Sequence, residues 1–224
     1  MTEQLTVVGR LAVRYEKKPY IKSLLQLIPS WGAADTLLQQ RADEIRSDRI
    51  RIFFDELSVG KINLTEDIIQ SDEFLHCYFC TLRAALNTRQ HEKIQLFARL
   101  LDSSIIPDSS ISSDEYEEIL AVLDSVTLRE FRILCNLRQH ELAHPQSTAE
   151  NELQNAWHYW GQFKKDSIEM YGIPADAFTA FMAKLERTGL YLRITGGFSD
   201  YSGDVGRTTP LFARLIEIVT EMKA

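Results

Sequence analysis

The residues best suited to chemistry form one string, His140-Glu141-Leu142-Ala143-His144. Its H-E-x-x-H spacing, on a helix, sets two imidazoles one turn apart with a carboxylate beside the first. Two such imidazoles can hold zinc, the metal lowers the pKa of a bound water, and the carboxylate takes that water's proton. The chemistry would be metal-assisted hydrolysis, with His140 and His144 as ligands and Glu141 as general base. Pro145, directly after the second His, disfavours helical geometry there and opposes that alignment. A third ligand must also be supplied, and Glu150, Glu152 and Glu169 are candidates by nearness in sequence only. The competing reading is a helix end, where His meets the last carbonyls and the dipole. The main expectation is therefore no catalytic residue, no metal and no cofactor. A zinc-dependent hydrolase built on Glu141, His140 and His144 is the alternative.

A second cluster is Cys77-Tyr78-Phe79-Cys80, preceded by His76. A structural zinc site wants four ligands, usually from two such pairs, and Cys135 is the one further thiol in the chain. Thioredoxin-like redox chemistry needs a neighbouring βαβ pattern that the sequence lacks, so these thiols are expected to be small packed residues. Arg41, Arg46, Arg49 and Arg51 invite an anion site. Asp43, Glu44, Asp48 and Asp55 are interleaved with them, which makes a solvated, self-paired helix face the better expectation. The glycines at 196, 197, 203 and 206 sit in a hairpin pattern and lack the strand-to-helix setting of a phosphate loop.

The H-E-x-x-H string resembles the motif of zinc metallopeptidases, which carries uncharged residues where Arg138 stands here. A broader resemblance lies further on. Residues 172–219 read helix, strand, glycine-rich ribbon, strand, helix. Ile173-Pro174-Ala175-Asp176 opens a helix with Phe178, Phe181, Met182 and Leu185 inward, and Gly189 stops it. Tyr191 to Thr195 is strand-like, Gly196 to Gly206 a loop, and Thr209-Pro210 a cap with Pro at the first helical position. This order, ending "LERTGL…TTPLF", resembles the recognition helix and wing of a winged-helix domain. The resemblance implies a partner surface made of Thr179, Lys184, Arg187, Tyr201 and Arg207.

Composition argues against bare DNA as that partner. The chain carries a formal charge of −7, and residues 114–224 hold 11 Lys/Arg against 17 Asp/Glu. Phosphate binding needs the opposite balance. A protein partner or self-association is expected first and DNA second.

Upstream, residues 5–28 suggest one or two helices broken at Lys17-Lys18-Pro19. Residues 28–32 suggest a turn, and a long helix follows from Asp35 to Leu57 with Leu38, Ala42, Ile45, Phe53 and Leu57 buried. Acidic helix starts stand at Thr65 and Ser71, and further helices are expected over 72–87 and 89–101. Capping-box spacings begin helices at Ser112 and Thr127, and a long helix is expected over Ser147 to Tyr171 with Leu153, Trp157, Trp160 and Ile168 inward. The fold class is mainly α: a helical domain (1–103), a linker (104–113) and a winged-helix-like α+β domain with a small β-hairpin (114–224). "LLQLIPSWGAADTLL" and "RADEIRSDRIRIFFDEL", at 24–38 and 41–57, resemble bacterial helical proteins of unknown function. That resemblance implies a bacterial or mobile-element setting and a stress- or phage-response role. Three cysteines, no basic-then-apolar N-terminus and no long apolar run give an expectation of a cytoplasmic protein.

Overall fold

The computed structural model describes residues 7–28, 37–60, 65–104, 111–145, 150–194 and 203–220. The chain is mainly helical with one small antiparallel sheet, and it divides into two compact units. Unit 1 comprises Met1–Leu120 with Ile218–Ala224, and unit 2 comprises Ala121–Glu217. Most of the expected linker, 105–110, lies outside the described residues, as do the turn residues 29–32. Among the described residues no helix is long and apolar enough to cross a membrane.

Unit 1 begins with α1 (Val7–Arg14) and α2 (Pro19–Gln26), with the break where Pro19 takes the first turn of α2. The long α3 (Leu37–Leu57) follows, then α4 (Glu66–Gln70), α5 (Asp72–Asn87), α6 (His91–Ser104) and most of α7 (Ser113–Ser125). α3 packs on α5 and α6. Within residues 41–57 of α3 the buried apolar side chains are Ile50, Ile52, Phe53, Phe54 and Leu57, and Leu38, expected inward, lies outside the described side chains. Ile45, expected inward, is 41% exposed. The turns around Ile45 carry the exposed Arg41–Glu44 and Arg46–Asp43 pairs. Further along, Arg51 reaches both Asp48 and Asp55, the pairings expected from spacing. Ser71 caps α5 by accepting from the Phe74 N–H, and Ser112 accepts from the Glu115 N–H at the start of α7.

Unit 2 contains α8 (Leu128–Ala143), α9 (Glu152–Glu169), α10 (Phe178–Glu186), β1 (Tyr191–Arg193), β2 (Gly206–Thr208) and most of α11 (Pro210–Thr220). Reciprocal capping boxes start α8 at Thr127 with Glu130 and α9 at Asn151 with Gln154. The second of these moves the start of α9 past Ser147. Leu153, Ala156, Trp160, Phe163 and Ser167 form the buried stripe of α9, with spacings of three and four. Trp157, expected inward, lies beside that stripe and is 55% exposed. Tyr159, flanking the stripe too, is buried, and its hydroxyl donates to the Gly206 carbonyl. Gly172 and Gly189 close α9 and α10 with φ of 64° and 74°, the left-handed region that Gly occupies without a Cβ clash. β1 and β2 pair as Tyr191↔Thr208, Leu192↔Arg207 and Arg193↔Gly206. Tyr191 stacks on Trp160 at 6.2 Å between ring centroids, and Trp160 meets Phe163 and Phe178, so one aromatic group fixes the ribbon to α9 and α10.

Candidate functional site

The surface expected to meet a partner is built on α10 and the two-stranded ribbon. Phe178, Met182 and Leu185 are fully buried and Phe181 half-buried, which turns Thr179, Ala180, Lys184 and Arg187 outward. Two of these outward groups are engaged within the unit. The Thr179 hydroxyl donates to Asp204 at 2.9 Å, tying α10 to the residues just before β2. Lys184 Nζ lies 2.5 Å from Glu130 Oε1, and Glu130 is only 2% exposed.

Glu130 also accepts from the backbone N–H and the hydroxyl of Thr127. Burial pushes its carboxyl pKa up, but the bonds from Lys184 and Thr127 overcome this and hold it below the usual carboxylate range. The α10 lysine thus serves the start of α8. On the ribbon, Arg207 pairs with Glu152 in the first turn of α9, where a carboxylate already complements the helix dipole. Arg187 is exposed on the last turn's flank of α10. Tyr201 lies outside the described residues, as do Phe198 and Asp200.

The H-E-x-x-H string occupies the last turn of α8, and its three polar side chains face three different partners. His140 Nε2 meets Asp166 Oδ2 at 2.9 Å. Glu141 accepts the Thr208 backbone N–H and hydroxyl on its two oxygens, each at 2.5 Å, and Arg138 contacts it at 3.1 Å. His144 leaves the helix at φ −126°, ψ 70°, the departure expected before Pro145, and its Nδ1 meets the His140 carbonyl at 2.9 Å. That last contact is the helix-end role weighed against zinc binding. Among the described residues no group of three or more His, Cys, Asp or Glu is placed to hold a metal ion.

Sequence reasoning missed what Glu141 does here. In the β1–β2 register, Thr208 and Gly206 point their backbone groups away from β1, so β2 has an open edge. Glu141 takes the Thr208 N–H on that edge and Tyr159 donates to the Gly206 carbonyl. Two side chains from α8 and α9 therefore substitute for a third strand and leave that edge partnered. Glu141→Ala should cost about 1–3 kcal/mol by leaving the Thr208 donors unsatisfied, whereas Glu141→Gln, which keeps one acceptor, should cost less. Urea unfolding of the two variants checks this, and equal midpoints for wild type and Glu141→Ala would remove the clamp.

In unit 1, Cys77 is buried and burial pushes its thiol up to about 11. Cys80 is half-exposed with its sulfur 3.7 Å from His76 Nε2. An open cavity of about 590 Å³ lies beside α3 and the start of α6, lined by Arg41, Arg49, Arg89 and His91 and also by Glu44 and Asp48. Arg49 donates to the Leu86 carbonyl and Arg41 pairs with Glu44, so the expected self-pairing, rather than a single-sign anion site, describes this wall.

These features define a mainly helical protein whose second unit carries a side-chain-braced antiparallel ribbon. No protein-family model, curated protein or solved structure matches the chain.

Proposed function

We propose that the chain is a non-enzymatic regulatory or interaction protein whose C-terminal unit is a winged-helix-type module that binds a protein. One observation carries this reading: Lys184 and Arg207, two cations expected to meet phosphate, are each paired with a carboxylate of the same unit. Phosphate contacts from such groups would have to break those pairs first. The exposed side of the ribbon instead presents Leu192, 44% exposed, opposite Arg207. Apolar and Arg side chains set next to each other are characteristic of protein interfaces. The −7 charge of the chain points the same way. The N-terminal resemblance adds a bacterial stress or phage response as the setting.

A photo-crosslinking residue at position 192, placed in bacterial cells, tests the reading together with duplex binding at low ionic strength. The expected result is a discrete protein adduct and no duplex affinity that depends on Arg187. Duplex affinity that falls on Arg187→Ala, with no protein adduct, would reverse the assignment in favour of DNA.

A further inference from the structure

We propose that α9 carries a self-association face through which two copies of the chain pair antiparallel, crossing at Gly161. Among the described residues of unit 2 the exposed large apolar side chains are Leu142, Trp157, Met170 and Leu192. Leu142 and Met170 stand at helix ends and Leu192 on the ribbon, which leaves Trp157 as the one in the body of a helix. One turn further on, Gly161 is exposed, and a Cβ built there would meet no described atom within 4 Å. Gly is the poorest helix former after Pro, and neither crowding nor a positive φ requires it at this position. What it provides is a patch of helix without a side chain, on which a second helix can come close.

The residues around this notch are spaced symmetrically. Gln154, Trp157, Gly161, Lys165 and Ile168 follow one another at intervals of three, four, four and three, which keeps them on one side of α9, turned away from its buried stripe. Gln154, Trp157 and Lys165 are exposed and Ile168 is half-buried. A two-fold axis at Gly161 therefore sets Trp157 level with Lys165 of the second copy, and Gln154 level with Ile168 of the second copy. The Lys165 ammonium then approaches a Trp face, an attraction made twice in the pair, while each Trp157 ring covers the bare backbone at the other Gly161. Parallel pairing would instead set Lys165 level with Lys165, so charge selects the antiparallel arrangement. Two neighbouring side chains are engaged within the chain and leave the face clear: His158 contacts Glu150, and Lys164 lies over the Phe178 ring. The face complements itself, and this makes a second copy its occupant.

An 18-residue helix is about 27 Å long, and one such pair lies at the low end of interface sizes. Association is therefore expected to depend on concentration, with the monomer populated on dilution. The face uses neither Leu192 nor Arg187, so its failure leaves the reading of the ribbon standing, and the reverse.

Sedimentation equilibrium of the full chain over roughly 1–200 μM is expected to show a monomer–dimer equilibrium. Trp157→Ala should raise the dissociation constant by roughly thirtyfold. Lys165→Glu should raise it by roughly fivefold. Gly161→Ala should raise it by roughly tenfold, yet leave the melting temperature of the dilute monomer equal or higher, since the methyl has room in the single chain and Ala is the better helix former. Those opposite directions separate loss of the interface from loss of the fold. A photo-crosslinking residue at position 165, in the chain expressed in bacterial cells, should join two copies. A wild type that stays monomeric throughout, a dimer that Trp157→Ala and Gly161→Ala both leave unmoved, or crosslinking to a different protein in place of a second copy would overturn the proposal.

Discussion

Replacing Asp102 by Asn is expected to stabilise the protein at mildly alkaline pH and to flatten its pH dependence. Asp102 sits near the end of α6 and is only 4% exposed, and its Oδ1 has no hydrogen-bond partner. The chain at Gly60 covers it so closely that a Cβ there would overlap the carboxylate. Burial, and then the charge of Glu56, push the Asp102 carboxyl up to about 7. Glu56 is itself held by Arg99 at 2.6 Å and Gln95 at 3.0 Å, so its charge stays in place.

The direction follows from proton counting. In the unfolded chain the Asp102 carboxyl gives up its proton near 3.8, and in the folded protein near 7. Between those values the native state holds the extra proton, so stability falls as pH rises through this window and levels off above it. At ~1.4 kcal/mol per pH unit the interval sets an upper bound of about 4 kcal/mol. Relaxation around the carboxylate, and the unpaired amide that Asn itself would bury, lower the expected gain for Asp102→Asn to about 2 kcal/mol. Urea midpoints on both sides of the window read the effect. A variant that keeps the wild-type pH slope would show that Asp102 is not the group responsible.

Asp102 also shows where the sequence stops being informative. Local signals were legible: the break at Pro19, the caps at Ser71, Ser112 and Thr127, the stop at Gly189 and the pairs along Arg51 all depend on residues a few positions apart. What depended on distant partners was not. Nothing near Asp102 distinguishes it from a solvated helix-end carboxylate, because the chain that buries it is at Gly60. Ile45 and Trp157 had acceptable helical spacing but are 41% and 55% exposed in the fold. The H-E-x-x-H string had the right spacing for chemistry, yet its Glu was committed to Thr208, 67 residues away. The start of α9, by contrast, is written locally in the capping-box spacing of Asn151 and Gln154. The zinc alternative and the clamp differ only in what stands across from Glu141, and a motif carries no such information.

The same long-range commitment decides the second large effect, at Glu130. Glu130→Ala should destabilise the protein by about 2–4 kcal/mol, because it removes one half of the α8 capping box and leaves Lys184 without its carboxylate. Lys184 is 61% exposed, so the pair is screened on one side and the estimate stays below that of a fully buried ion pair. Lys184→Ala leaves Glu130 buried with only the Thr127 donors and should cost about 1–2 kcal/mol. A double-mutant cycle should then give a coupling of about 1 kcal/mol, since each single change removes the same contact. The pH sign is opposite to that at Asp102. Glu130 is held below 4.5 in the folded state, so its contribution is present above that value and is lost as pH falls through the folded pKa. If Lys184 were instead a phosphate contact, Lys184→Ala would leave the unfolding midpoint unmoved and lower the salt dependence of duplex binding by about one ion. The two assignments predict changes in different measurements, so one lysine variant, unfolded in urea and titrated with duplex, separates a structural cation from a DNA reader.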